Sequence, residues 1–236
     1  MPTSPIVRRS VRNIAVGVSA AFVLFIGGGA ARIRYLQGGA DYSHVTSIKT
    51  AWEFQDSALL ARAWALPVAS IYKGDGVDWQ ENPSFCGPTS AVNVMRSLGE
   101  QADQHSILAG THYWTVFGLL PGGMTLDDLA ALVREKSGKH VDVLRDIDLA
   151  TFRRELAHAN DPSRRYIINF HRGPLFGTGG GHFSPIAGYL ESADLVLVLD
   201  VNRKYQPWLV PTERLFQAMD TVDRSAGRKR GLLRIQ

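Results

Sequence analysis

The stretch Gln80–Leu98, QENPSFCGPTSAVNVMRSL, holds the only cysteine of the chain, Cys86. Behind it Ala91, Val94, Met95 and Leu98 recur at helical spacing, and Gly99 stands where a C-terminal cap ends a helix. Proline is accepted in a helix only within the first turn, so Pro88 predicts a helix that begins at the cysteine itself. A thiol in that position feels the positive end of the helix dipole and unpaired backbone N–H groups, and both favour thiolate. A lone cysteine is otherwise a small buried hydrophobe, so this stretch alone leaves nucleophile and core residue as two readings.

The surrounding composition is globular: 236 residues, 45% apolar and 20% charged, enough for one sizeable domain and a short appendage. The formal charge of +4 is unevenly placed. Residues 1–34 hold Arg8, Arg9, Arg12, Arg32 and Arg34 and no acid; without these five, 21 basic residues face 22 acidic ones. A near-neutral body carries no electrostatic footprint for nucleic acid. Arg8, Arg9 and Arg12 precede an uncharged run from Asn13 to Ala31, so residues 1–34 are expected to be a signal peptide or an N-terminal membrane anchor acting through residues 13–31. The expected location is exported: periplasmic, or membrane-anchored facing the periplasm. The pair Arg8-Arg9 also fits a twin-arginine signal, and Gly29 and Ala31 fit a cleavage site. Residues 35–56, with Gly38-Gly39 and no sustained period, are expected to be a linker to a domain over 57–236. One cysteine excludes an internal disulfide, and an exported chain that keeps a single thiol has reason to use it.

Within that domain, Ser57–Leu66 is expected to form a short helix ended by Pro67, followed by a loop over 68–79. Thr125 and Asp128 form a capping box for a helix through Val133 that ends at Gly138. Val141–Leu144 and Tyr166–Phe170 read as strands, with a helix over Asp148–Ala159 between them. The passage GTGGGHFSPIAGYLESADLVLVLDV, residues 177–201, reads as a glycine loop and a β-hairpin over His182–Leu190 and Leu195–Val201. Its glycines enter a strand and lack a Lys-Ser/Thr pair, which excludes a phosphate-binding loop. His182 and Asp200 share a face of this hairpin only if the register shifts by one residue, through an odd loop or a bulge near Pro185. A short helix around Glu213–Met219 and a last strand at Leu232–Ile235 complete the domain.

Cysteine at a helix start, histidine at a strand start and aspartate on the adjacent strand are the parts of a thiol acyl-transfer site. The histidine takes the thiol proton, and the aspartate orients and stabilises the imidazolium. Gln80, six residues before Cys86, is placed to complete an oxyanion hole. The order Gln, Cys, His, Asp is that of papain-like peptidases. That likeness implies an α+β, papain-like fold, its helical part carrying Cys86 and packed against an antiparallel sheet carrying His182 and Asp200. His44, His105, His112, His140, His158 and His171 form no H-E-x-x-H or H-x-H arrangement, so no metal site held by the protein is expected.

The passages LPVASIY, QENPSFCGPTSAVNVMRSLG, GMTLDDLAALV, GGGHFSPIAGYLESADLVLVLDVNRKYQPWLV and MDTVDRSAGRKRG resemble, in this order, the catalytic domain of phytochelatin synthases over residues 57–233. The resemblance implies the same papain-like fold and γ-glutamylcysteinyl transfer from glutathione, with Cys86 as nucleophile, His182 as base and acid, Asp200 orienting it and Gln80 in the oxyanion hole. It also implies that Asp223 and Arg230 grip the substrate, their charges matching the ammonium and carboxylate of a γ-glutamyl group; as bare sequence they read as a solvated charged turn. The family's plant and yeast members carry a further cysteine-rich region. This chain has no second cysteine and resembles the shorter bacterial members, which look more like glutathione hydrolases. No cofactor held by the protein is then expected: cadmium or zinc enters as a glutathione thiolate complex. Glutathione and metal–glutathione complexes are the expected partners, and the oligomeric state, a homodimer included, is open. A papain-like peptidase acting on other peptides and an inactive binding module for thiol–metal complexes are the alternative functions.

Overall fold

Asp56 caps the first helix of the body with its carboxylate. The computed structural model describes residues 5–36, 41–51, 54–116 and 118–236; Gly38 and Gly39 lie outside these. The chain forms two units, Met1–Gly39 and Ala40–Gln236. The first contains one helix, α1 (Pro5–Leu36), along which Ile14, Phe22, Leu24 and Phe25 are exposed. Among the described residues, no helix is long and apolar enough to cross a membrane.

In the second unit, α2 (Ser57–Trp64) is followed at once by α3 (Pro67–Asp75). Pro67, expected to stop one helix, instead opens the next, since the first turn has no use for the missing N–H; the loop expected over 68–79 is therefore helical as far as Asp75. α4 (Cys86–Ser97) begins at the cysteine, and all its residues except Cys86 and Arg96 are buried. Its end is a Schellman motif. Gly99 takes φ +84°, and the N–H groups of Glu100 and Gly99 donate to the carbonyls of Met95 (3.0 Å) and Arg96 (2.8 Å). α5 (Leu126–Ser137) starts at the Thr125/Asp128 capping box.

The remaining elements are β1 (Val141–Leu144), α6 (Leu149–Ala157), β2 (Arg165–His171), α7 (Gly173–Phe176), β3 (Gly181–Leu190), β4 (Leu195–Val198), β5 (Trp208–Pro211), α8 (Thr212–Met219), β6 (Val222–Asp223), β7 (Arg228–Lys229) and β8 (Leu232–Ile235). Six strands form an antiparallel sheet in the order β1-β8-β2-β3-β4-β5, and β6 pairs with β7. Ala91 and Val94 of α4 and Leu129 of α5 pack with Phe183, Ala187 and Leu233 in one core cluster. Phe152 and Leu215 pack with Ile168, Phe170 and Trp208 in a second, on the other side of the sheet. β5 was not expected, because its four residues follow Pro207 and end on Pro211, a composition tolerated at a sheet edge.

Residues 41–51 and Phe54 depart from the linker expected over 35–56. Ile48, Ala51 and Phe54, three residues apart, are buried in the second cluster with Leu175 and Phe176. The Ile48 N–H donates to the Leu175 carbonyl at 3.1 Å, and the Lys49 ammonium lies 4.1 Å over the Tyr205 ring. This segment is a strap on the body.

The register condition on the hairpin is met by a bulge. Ile186 pairs with Val198 but Gly188 pairs with Leu197, which leaves Ala187 as the extra residue on β3. Upstream, the Pro185 carbonyl accepts the Leu199 N–H at 2.9 Å, so the donor that proline lacks falls on the side where the ladder is already interrupted. The one-residue shift turns His182 and Asp200 to the same face.

Candidate active site

Asp200, fully buried after β4, is where the site's polar groups converge. His182 Nε2 lies 3.0 Å from Asp200 Oδ1, and Arg172 Nη2 donates to both carboxylate oxygens at 2.8 Å. Trp208 Nε1 donates to Oδ2 at 3.1 Å and the Asn202 N–H to Oδ1 at 2.9 Å. Burial pushes the carboxyl pKa up. The charges and hydrogen bonds of His182 and Arg172 overcome that and hold it well below the usual carboxylate range.

His182 stands at the start of β3, buried and edge-on to the Phe170 ring. With Nε2 given to Asp200, Nδ1 is the ring nitrogen left to act on Cys86, whose thiolate favours the charged imidazole. Burial and the Arg172 charge lower the imidazole pKa; Asp200 and Cys86 raise it, and the net result is above its ordinary value. Cys86 is half-buried at the N-terminus of α4. Burial raises the thiol pKa, but the hydrogen bond and charge of His182, the Phe183 N–H and the Arg172 charge outweigh it and set it below the ordinary thiol value. The two shifts have one cause: each group stabilises the charged form of the other, which is the condition for a thiolate–imidazolium pair.

Arg230 and Asp223 come together at the edge of this site. Arg230 Nη1 donates to Asp223 Oδ2 at 3.3 Å and to Asn169 Oδ1 at 2.7 Å. The guanidinium lies over Gly181, the residue before His182: a Cβ there would meet Nη1 at 2.4 Å, so the close approach requires glycine. Burial lowers the Arg230 pKa, opposed by the charges of Asp223, Cys86 and Tyr42. Both residues are buried, Arg230 at 5% and Asp223 at 8% exposure, which corrects the reading of a solvated turn.

Gln80 is tied to the same loop system, its N–H donating to the Val201 carbonyl at 2.8 Å, one residue from Asp200. Its Nε2 donates to the Asn82 carbonyl at 3.0 Å, and its Oε1 is buried with no hydrogen-bond partner among the described residues. Among the described residues, no three His, Cys, Asp or Glu side chains are grouped to hold a metal ion.

The phytochelatin synthase family signature matches residues 57–232. The chain belongs to the phytochelatin synthase family. It is 35% identical over 168 residues to glutathione gamma-glutamylcysteinyltransferase 3 of Lotus japonicus, covering 65% of this chain and 34% of that protein. It is 34% identical over 170 residues to glutathione gamma-glutamylcysteinyltransferase 2 of Arabidopsis thaliana, covering 66% and 37%. The Schizosaccharomyces pombe glutathione gamma-glutamylcysteinyltransferase is 26% identical over 170 residues, covering 66% and 41%. The chain thus matches about a third to two fifths of the length of these relatives. Among solved structures, a putative C39-like peptidase from Bacillus anthracis superposes with a TM-score of 0.50 at 12% identity, over 69% of this chain and 94% of that one. At that identity the likeness speaks for fold alone: papain-like, α+β, with an antiparallel sheet.

Three residues of this phytochelatin synthase family site were not singled out from the sequence: Arg172, Trp208 and Asn169. A buried aspartate closing an apolar strand demands a compensating cation, and that demand was the available signal for Arg172. Its guanidinium sits 3.7 Å over the Tyr205 ring, and its Nη1 is buried without a hydrogen-bond partner among the described residues.

Proposed function

We propose that this chain is a cysteine-dependent γ-glutamylcysteinyl transferase and hydrolase acting on glutathione. The observation that carries the reading is the adjacency of two devices: the Cys86, His182 and Asp200 group, in which His182 is hydrogen-bonded to Asp200 and coupled electrostatically to Cys86, and the buried Arg230–Asp223 pair over Gly181. The first is chemistry common to papain-like folds. The second supplies a cation and an anion for the two charged groups of a γ-glutamyl end, which an α-linked peptide does not present in that arrangement.

In the first step Cys86 Sγ attacks the cysteinyl carbonyl of glutathione, and the carbonyl π electrons move to oxygen. Gln80 is assigned to the stabilisation of that oxyanion, through an amide N–H not engaged by Asn82. His182, protonated, gives its proton to the glycine nitrogen as the C–N bond breaks, leaving γ-glutamylcysteine as a thioester on Cys86. His182 then takes a proton from water, giving γ-glutamylcysteine, or from the amine of a second glutathione, giving the next longer γ-glutamylcysteine oligomer. Cadmium or zinc participates as the thiolate complex of the substrate, outside the protein's own ligand set. Residues 1–34 are assigned to export or anchoring, supported by the arginine-flanked uncharged run.

The test is incubation of the protein with glutathione, with and without Cd²⁺, with mass identification of products. At low glutathione without Cd²⁺, glycine and γ-glutamylcysteine are expected in nearly equal amounts. Cleavage of α-linked Glu-Cys-Gly at a similar kcat/KM would reject the γ-glutamyl assignment in favour of a general peptidase.

A further inference from the structure

Asn169 is the one polar residue in the run Tyr166–Phe170, YIINF, and that run is entirely buried. A buried amide in such a strand is costly unless it has a partner. Here the partner is Arg230, whose Nη1 donates to Asn169 Oδ1 at 2.7 Å, while the Asn169 N–H donates to the carbonyl of Gly231 at 2.9 Å. One residue of β2 therefore fixes both the backbone beside Arg230 and the tip of its side chain.

The pairing of β2 with β3 explains the rest of the pose. Asn169 faces Phe183 and His171 faces Gly181 across the ladder, so the side chain of Asn169 and the bare face of Gly181 lie two residues apart along the same strand pair. The guanidinium rests between them. The two hydrogens of Nη1 go to Asn169 and Asp223. Nε is buried with no hydrogen-bond partner among the described residues, and Nη2 has no protein acceptor within hydrogen-bond distance there. Nε and Nη2 form one edge of the guanidinium, and that edge is the fork that takes a carboxylate through two parallel hydrogen bonds. Asn169 is moreover a neutral acceptor: it restrains Nη1 without cancelling the positive charge a substrate carboxylate would meet.

We infer that Asn169 is a positioning residue for substrate recognition, holding Arg230 so that its Nε–Nη2 edge is turned to the α-carboxylate of the γ-glutamyl group. This rests on the function proposed above, in which Arg230 receives that carboxylate. It separates Asn169 from its apolar neighbours Ile167, Ile168 and Phe170 on β2, whose role is packing.

The experiment has two arms. Glycine release from glutathione and alkylation of Cys86 by iodoacetamide are measured for the wild type and Asn169→Ala. Binding of S-methylglutathione is measured by calorimetry in the Cys86→Ala protein, with Asn169→Ala, Arg230→Ala or both added. Loss of a hydrogen bond to a charged group corresponds to roughly a ten- to hundredfold effect, so KM and the Kd for S-methylglutathione are expected to rise by at least about tenfold. In contrast, kcat and the alkylation rate should change by less than about threefold, because among the described residues Asn169 makes no hydrogen bond to Cys86, His182 or Asp200. In the Arg230→Ala background the Asn169 substitution should add almost nothing, since the two act as one unit. Additive losses, or an equal fall in kcat, KM-independent, with slowed alkylation, would overturn the inference. Should Asn169→Ala not fold, Asn169→Ser, too short to reach Nη1, takes its place. Failure of both to fold would assign Asn169 to the core alone and overturn it too. A wild type that releases no glycine yet binds S-methylglutathione through Arg230 and Asn169 rejects the proposed reaction and not this role. No binding at all rejects both.

Discussion

At the scale of single residues, the site is a set of charges that stabilise one another in a dry place. Cys86→Ala or Cys86→Ser is expected to lower glycine release at least about a thousandfold with the fold retained, and His182→Ala to be about as severe, because the members of such a unit fail together. The pH dependence separates their roles. Alkylation follows the thiolate, so in the wild type it should stay fast below the ordinary thiol pKa and fall only as pH drops through the depressed Cys86 value. In His182→Ala the principal opponents of burial are gone, the thiol pKa moves up, and alkylation at pH 7 should slow; an unchanged profile would show that His182 does not set the thiol. Asp200→Asn reaches further than the imidazole. It leaves the Arg172 guanidinium buried without its counter-charge, and removal of one partner from such a pair costs about 3–5 kcal/mol. Urea unfolding at pH 7 measures this. The same pair gives the acid dependence its sign: the Asp200 pKa is lower in the folded state, so its contribution is complete above the unfolded value of about 3.9 and is lost as pH falls through the folded one.

At the scale of elements, the sequence was legible wherever a local rule decides the outcome. Pro88 fixed the start of α4, Gly99 its end, and Thr125 with Asp128 the start of α5, because each acts within one turn. The same rules misled at Pro67, where a proline that can end one helix can equally open the next. The bulge at Ala187 was foreseen as a condition, from the demand that His182 and Asp200 meet, and Pro185 marked its neighbourhood; only the ladder itself places the extra residue. The β6–β7 pair was illegible, because two residues per strand carry no periodicity. Deleting Ala187 removes the bulge and turns the upstream half of β3 over relative to Asp200. Glycine release is expected to be lost, together with the near-ultraviolet signal of Trp208, whose indole is bound to Asp200. Retained activity in that deletion would show that the bulge does not set the triad.

At the scale of the whole molecule, the family signature begins at residue 57, yet the fold of the second unit takes in residues from 41 onward. Burial of Ile48 and Phe54 is worth about 1.5–3 kcal/mol each. A chain starting at residue 57 should therefore be less stable than one starting at residue 41 by roughly 3 kcal/mol or more in urea unfolding. Equal midpoints and slopes would return the strap to the status of a linker. The segment was unreadable as structure because Ile48, Ala51 and Phe54 are too few to announce a helix or a strand; what orders them is the surface offered by Leu175 and Phe176.

The fate of the acyl-enzyme also belongs to the whole molecule, since it depends on what space and charge remain once the donor is bound. In the proposed reaction Cys86 holds γ-glutamylcysteine as a thioester after glycine has left, and the γ-glutamyl end still occupies the Arg230–Asp223 pair. Water, at about 55 M, needs no binding site to attack. A second glutathione competes only if its amine is held near the thioester, and such orientation can be worth many orders of magnitude in effective concentration. Among the described residues, the buried charge pair over Gly181 is taken by the donor, so an acceptor has to be held by weaker, more exposed contacts. Hydrolysis should then dominate at low glutathione, with transfer rising in proportion to glutathione and further when a thiolate-binding metal tethers two glutathiones together and brings an amine in with the donor. The measurement is the ratio of γ-glutamylcysteine to oligomer over time, at low and high glutathione, with and without Cd²⁺. Oligomer in excess at low glutathione without metal would mean that the protein itself holds the acceptor, by a site as well formed as the one over Gly181.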